Sequence, residues 1–156
     1  MIHIDDLEPC TEARGDRCEV RVKLLGKEAG GKDLGCMLYE LPPGKQSWPY
    51  HFHWANEEAI YVLAGQGTLR TPHGEVAVGA GDYLAFPAGP EHAHQMINRG
   101  SEPLRYLCFS TMLVPDIAEY PDVPGKMALF FDCPPGREGN VRFGAFHDAD
   151  YWNGLD

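Results

Sequence analysis

Residues 51–67 read HFHWANEEAIYVLAGQG, and their side-chain pattern constrains the rest of the chain. On a β-strand, residues two apart face the same way, so His51 and His53 can aim two imidazoles at one interior. Glu58 follows five residues after His53, an odd separation that would set it on the opposite face of a strand running straight on. A reversal is therefore required, and Ala55-Asn56 can supply it. Glu58 then opens a new strand in which Glu58, Ile60 and Val62 share one face and Ala59, Tyr61 and Leu63 the other, closed by Gly65-Gln66-Gly67.

Short apolar runs broken by turn signals continue on both sides, from about residue 35 to residue 111, the spacing of an antiparallel barrel or sandwich. Gly35 to Leu41 ends at Pro42-Pro43-Gly44, and Tyr50 to Trp54 carries the first histidines. Thr68 to Thr71 and Glu75 to Val78 flank a hairpin turn at Pro72-His73-Gly74. Tyr83 to Pro87, His92 to Asn98 and Leu104 to Thr111 complete the series. Residues 1–34 read as an irregular arm, with Cys18 to Leu25 alternating well enough for an edge strand or a segment laid on a partner. Prolines at 115, 121, 124, 134 and 135 predict a loop-rich tail over 112–156. Met127 to Phe131 and Val141 to Phe146 are candidate extra strands in it, and Ile117 to Tyr120 a candidate helical turn. The whole chain, 1–156, reads as one domain with its barrel core at about 35–111.

Composition excludes several classes. With 44% hydrophobic and 11% aromatic residues, the 156-residue chain can fill one core. Eighteen glycines and thirteen prolines interrupt every long helical stretch. A net charge of −10 disfavours nucleic acid and anionic membrane surfaces. The amino terminus, MIHIDDLEPC, has neither a basic start nor an apolar run, and no window approaches the roughly 20 apolar residues of a membrane span. These features predict a soluble, cytoplasmic protein. Five cysteines, at 10, 18, 36, 108 and 133, form no C-x-x-C pair and read as reduced thiols. Cys36 and Cys108 fall in strands as core residues, and the other three fall in loops at the surface.

A second His-x-His pair, His92 and His94, follows in PAGPEHAHQMIN (87–98). Seven histidines placed at random would give about 0.3 such pairs, so their surroundings decide their meaning. Two imidazoles and a carboxylate converging in a barrel are costly to bury without a partner, and a divalent cation removes that cost. Imidazole with carboxylate suits Zn, Mn, Fe, Ni, Co or Cu better than Ca or Mg. His3, His73 and His147, in a turn and near the ends, read as solvent-exposed.

Gly44, His51-Phe52-His53, Glu58 and Gly65 resemble the first motif of the cupin family, in which a glycine precedes His-x-His, three or four residues, Glu, six residues and Gly. The leading glycine stands one residue further from the first histidine than in that pattern. Gly81, Pro87, Gly89, a histidine and Asn98 resemble the second motif. The two motifs span residues 44–98. The resemblance implies an all-β double-stranded β-helix, or jelly-roll, barrel. It further implies one divalent transition metal held by His51, His53, Glu58 and a third histidine, with two positions left for water or substrate. Counting forward from Pro87-x-Gly89 selects His92, and counting back from Asn98 selects His94. His94 is favoured, since Met96 and Asn98 then share its inward face, and His92 becomes a group at the mouth or the alternative ligand.

Trp48, Trp54, Met96, Arg70 and Arg105 are candidate pocket residues: the aromatics bracket the His-x-His pair, and the strand arginines could hold an anionic ligand. Gly44, Gly65, Gly67, Gly81 and Gly89 read as turn residues with positive φ. No residue stands out as a catalytic base. The resemblance to sugar-phosphate isomerase cupins implies a metal-dependent enzyme acting on a small polar, oxygen-rich substrate, with the ion polarising a carbonyl or hydroxyl. An Fe- or Mn-dependent dioxygenase or decarboxylase and a non-catalytic binder of a small ligand are the alternatives. Uncovered edge strands imply a homodimer.

Overall fold

The computed structural model describes residues 1–135 and 138–150. Tyr151-Trp152, a pair that resembles tail segments of small cupins, lies outside the described residues. In chain order the first strands are β1 (Cys10–Arg14), β2 (Cys18–Lys23), β3 (Gly35–Leu41), β4 (Phe52–His53), β5 (Glu58–Ala64), β6 (Gln66–Thr71) and β7 (Gly74–Gly79). The others are β8 (Tyr83–Phe86), β9 (Gln95–Ile97), β10 (Leu104–Ser110), β11 (Asp116–Glu119), β12 (Lys126–Phe130) and β13 (Val141–Ala145). A six-stranded sheet runs β1-β2-β3-β10-β5-β8, a four-stranded sheet β13-β12-β11-β4 and a three-stranded sheet β7-β6-β9. All these strand pairs are antiparallel, and together they form a double-stranded β-helix, a jelly roll. No helix among the described residues is long and apolar enough to cross a membrane.

Register sets which face each residue presents. β5 pairs with β10 so that Glu58 lies opposite Ser110 and Ile60 opposite Cys108, and with β8 so that Glu58 lies opposite Phe86. Glu58, Ile60 and Val62 are buried while Tyr61 and Leu63 are each 40% exposed, so the alternation read from the sequence holds, with Ala59 buried as well. A slip of one residue would turn Glu58 outward and Tyr61 inward. Leu41, Val62 and Leu104 are fully buried in the central cluster, each contributing about 1.5–3 kcal/mol. Gly65 has φ +85°, and a Cβ there would collide with the Pro103 carbonyl oxygen. Gly67 departs from the expectation: its φ is not positive, and its lack of a side chain instead makes room for Leu104.

Several segments differ from their sequence reading. The run from Tyr50 to Trp54 is regular only at β4, because His51 leaves the ladder for a bridge with His94, each backbone N–H donating to the other's carbonyl at 3.3 and 2.9 Å. His92 to Asn98 divides into a 3-10 turn at Pro90–His92, which starts on proline, and β9. Ile117 to Tyr120 is not a helical turn. These residues lie in and just beyond β11, which pairs with β12 on one side and β4 on the other, and those neighbours override the local signal. The loop-rich tail therefore contributes three strands to the barrel. The N-terminal arm holds the β1–β2 hairpin, and β2 stops at Lys23, before a one-turn helix, α1 (Leu25–Glu28). Cys133 is buried rather than at the surface, since its side chain packs over Gly139.

Candidate metal centre

The four groups come from three places in the chain. β4 ends on His53, the bridge to residue 94 fixes His51, and β5 begins with Glu58. The reversal between β4 and β5 is locked by Asn56, which is buried. Its amide oxygen accepts from the Leu113 backbone N–H at 2.6 Å and from Thr111 Oγ1 at 3.1 Å, and its Nδ2 donates to Asp116 Oδ2 at 2.7 Å. Nitrogens of His51 and His53 and a carboxylate oxygen of Glu58 all lie within 4.8 Å of one another. His94 Nε2 is 3.2 Å from Glu58 Oε2, while His53 Nε2 and His51 Nε2 are 3.7 and 3.8 Å from the same oxygen.

The far side of each ring fixes its proton. His51 Nδ1 is 2.8 Å from the Pro49 carbonyl, and His94 Nδ1 is 3.1 Å from the His92 carbonyl. A carbonyl only accepts, so both Nδ1 atoms are the donors. His53 Nδ1 is 2.6 Å from Asp116 Oδ2, a fully buried carboxylate that also accepts from Ala55 N–H at 2.9 Å. All three rings thus hold their Nδ1 protons outward and turn Nε2 toward Glu58, the orientation of imidazoles that bind a metal through Nε2. The three mutually close atoms of His51, His53 and Glu58, with His94 Nε2 reaching the same Glu58 oxygen, are electron-rich and need a proton or a cation between them. That donor set fits a divalent metal, and His51, His53 and Glu58 could hold one.

Burial and charge act differently on these groups, and only His51 is pushed toward its neutral form. Burial, reinforced by the charge of His94, lowers the His51 pKa to about 3, leaving its Nε2 lone pair free. Burial works to raise the Glu58 carboxyl, but the close approach of His94 Nε2 and the positive charge that His53, His94 and His51 carry when protonated outweigh it and bring it to about 2. For His53, burial works downward, and the hydrogen bond to Asp116 with the charges of Glu58 and Asp116 raises the pKa overall. Asp116 is brought to about 2 against burial, chiefly by its hydrogen bond with His53.

A cavity of about 410 Å³ opens beside these residues and reaches the mouth formed by β1 and the tail. Trp48 and Met96 line it. Trp54 does not: it is 51% exposed, donates from Nε1 to Glu119 Oε2 at 3.1 Å and packs edge-on against Phe52. It sits one residue beyond His53 and so faces the other way. Arg70 is also outside, forming a two-pronged pair with Asp122 at 2.7 Å each and lying 4.1 Å over the Tyr50 ring. Arg105 is exposed on β10 beside Glu40 at 3.8 Å. His92 lies outside the cluster, 3.7 Å from Glu91, with its side chain 34% exposed.

Two residues of this site were not singled out from the sequence as its parts. Asp116 opens a strand whose residues read as tail loop and a candidate helical turn, and only the β11–β4 pairing, with Ala118 opposite His53, brings it to the histidine. Tyr120 lines the cavity and stacks on His51 with ring centroids 6.2 Å apart. In sequence, Tyr120-Pro121-Asp122 resembles tail segments of small cupins, as Tyr151-Trp152 does, and that resemblance assigns it no role.

Comparison with known proteins agrees with this architecture. Residues 37–110 match the family model of the cupin domain. The oxalate-binding protein of Thermotoga maritima is 32% identical over 108 residues, which cover 68% of this chain and 87% of that protein. An uncharacterized protein of Methanocaldococcus jannaschii is 35% identical over 60 residues, and this chain spans only 46% of its length. The crystal structure of a sugar phosphate isomerase of the cupin superfamily from Silicibacter pomeroyi is 25% identical and superposes with a TM-score of 0.79, covering 93% of this chain and 92% of that one. A jelly-roll barrel with imidazoles and a carboxylate gathered in its interior is the architecture of the cupin class of β-barrel proteins. The chain belongs to the cupin superfamily.

Proposed function

We propose that the protein is a divalent-metal-dependent enzyme of the isomerase type, with the ion held by His51, His53, Glu58 and His94 and a small oxygen-bearing substrate bound in the adjoining cavity. The observation that carries this reading is the common orientation of the three imidazoles, each with Nδ1 tied to an acceptor and Nε2 aimed at Glu58 Oε2. When bound, the metal would polarise a carbonyl oxygen and stabilise the negative charge left when a neighbouring C–H proton is removed. Asp116 holds the His53 Nδ1 proton, and Asn56 holds Asp116, so the ring cannot turn. Tyr120 covers one face of His51, and Phe86 stacks on His94 with ring centroids 3.8 Å apart, which limits water around the ligand nitrogens. Similarity to the S. pomeroyi sugar phosphate isomerase supports the reaction type.

The test is metal analysis of protein purified without chelator. Stoichiometric transition metal in the wild-type chain, lost in His51→Ala and Glu58→Ala, supports the assignment; unchanged metal content in both variants refutes it. The similarity to an oxalate-binding protein favours a second reading, carboxylate binding or decarboxylation at the same centre. Saturable binding of oxalate to the metal-loaded protein separates the two.

A further inference from the structure

The geometry points to a substrate with an uncharged, apolar body, aromatic or acyl, that carries its metal-binding oxygens at one end; this rests on the metal-centred reading and specifies its substrate class. The cavity walls beyond the ligand cluster are formed by Val22, Leu24, Met37, Ile60, Met96 and Phe130. Among the described residues the lining contains no lysine or arginine, and its two carboxylates are Glu58 within and Glu12 on β1 at the mouth. A phosphate dianion entering this cavity would lose its hydration without a paired cation and would approach a chain of net charge −10. The two strand arginines cannot serve it, since Arg70 is held by Asp122 and Arg105 lies outside beside Glu40.

Several polar groups in the wall are already engaged within the protein, which leaves the Tyr120 hydroxyl and Glu12 among the few for a polyhydroxylated guest. Tyr39 accepts from Trp48 Nε1 at 3.2 Å, and Gln95 Nε2 donates to the Trp48 carbonyl at 2.9 Å. Removing apolar ligand surface from water is what such a wall rewards, and the cavity volume of about 410 Å³ is in the range that encloses small organic ligands. The Glu58 end supplies the polar anchor and the remaining wall the apolar contact.

The experiment compares acetohydroxamate, benzohydroxamate and ribose 5-phosphate by isothermal titration of the purified protein, with metal content measured on the same sample. The two hydroxamates present the same oxygen pair and differ in a methyl against a phenyl. After correction for their affinities for the free ion, benzohydroxamate is expected to bind at least about tenfold more tightly than acetohydroxamate. Met37→Gln is expected to weaken benzohydroxamate about tenfold while leaving acetohydroxamate within about twofold. Leu24→Asn, a second half-buried wall position, repeats the measurement should Met37→Gln fold poorly. Equal affinities for the two hydroxamates, or tighter binding of ribose 5-phosphate than of either, would overturn the inference while leaving the metal assignment standing. A sample without metal that also fails to bind acetohydroxamate refutes the metal reading, and 2-naphthol fluorescence then reads the wall alone. Saturable 2-naphthol binding weakened by Met37→Gln supports the apolar guest; its absence overturns it.

Discussion

Asp116→Asn isolates the group that orients His53. Asp116 Oδ2 accepts from His53 Nδ1 at 2.6 Å and Asn56 Nδ2 at 2.7 Å, and Oδ1 accepts from Ala55 N–H at 2.9 Å. Asparagine keeps the shape but offers one acceptor oxygen. If that oxygen faces His53, the new NH₂ meets the Ala55 N–H, donor against donor. If the amide is reversed, the NH₂ faces His53 Nδ1 and moves the ring proton to Nε2, the atom aimed at Glu58. Either outcome leaves the backbone in place and weakens the imidazole as a ligand. Partners of metal-binding histidines are worth about 10–100-fold in metal affinity, equivalent to about 1.4–2.7 kcal/mol. One buried donor without a partner should also lower the stability of the metal-free protein by about 1–3 kcal/mol. The affinity is read by competition for Zn²⁺ against a chromophoric chelator, and the stability by urea unfolding of chelator-treated protein. Glu119→Gln, an exposed-side change at the other end of β11, is the control and leaves Zn²⁺ affinity unchanged. Wild-type Zn²⁺ affinity in Asp116→Asn, together with the expected loss of stability, would show that His53 does not act through Nε2 and would refute the reasoning.

Substituting the two candidate third histidines separates them: His94→Ala loses bound metal on elemental analysis and His92→Ala retains it, and the reverse result would reassign the ligand. Arg70→Ala should cost less than about 1 kcal/mol at pH 7, because the pair with Asp122 is solvent-exposed. The hydrogen bond with Arg70 outweighs slight burial and lowers the Asp122 pKa, so this stabilisation is present above the unfolded Asp value near about 3.9 and is lost as pH falls below it. The difference between wild type and Arg70→Ala in urea midpoint should therefore narrow between pH 5 and pH 3, and a gap that widens would contradict the assignment. Sedimentation equilibrium should give two chains per particle, because β1 is exposed along its whole length and leaves an uncovered sheet edge; a single chain per particle would overturn the homodimer.

The alternation from Glu58 to Leu63, the turn residues around it and the paired His-x-His motifs are local features, and they carried an antiparallel barrel or sandwich, while the resemblance to the cupin motifs supplied the jelly roll and the candidate ligand set. Strand parity is a property of adjacent residues, so a sequence displays it without reference to anything distant. The choice between His92 and His94 was not local in this sense: two counts of spacing disagreed, and the bridge between residues 51 and 94 turned one ring inward while the proline-started turn left the other at the surface. Trp54 was drawn toward the pocket by its place beside the His-x-His pair and Arg70 and Arg105 by their charge on strands, and pairing with Glu119, Asp122 and proximity to Glu40 hold them outside it.

Amino-acid order alone thus specified the barrel and the kinds of atoms that could meet an ion. The hydrogen bond from His53 to Asp116 spans 63 positions, and the proline-rich composition of the tail hid the strand that delivers it. Long-range strand pairing is decided by which edges are left open once the rest of the sheet has formed, so only the folded chain fixed the imidazole tautomers, the partners of the arginines and the apolar character of the cavity wall.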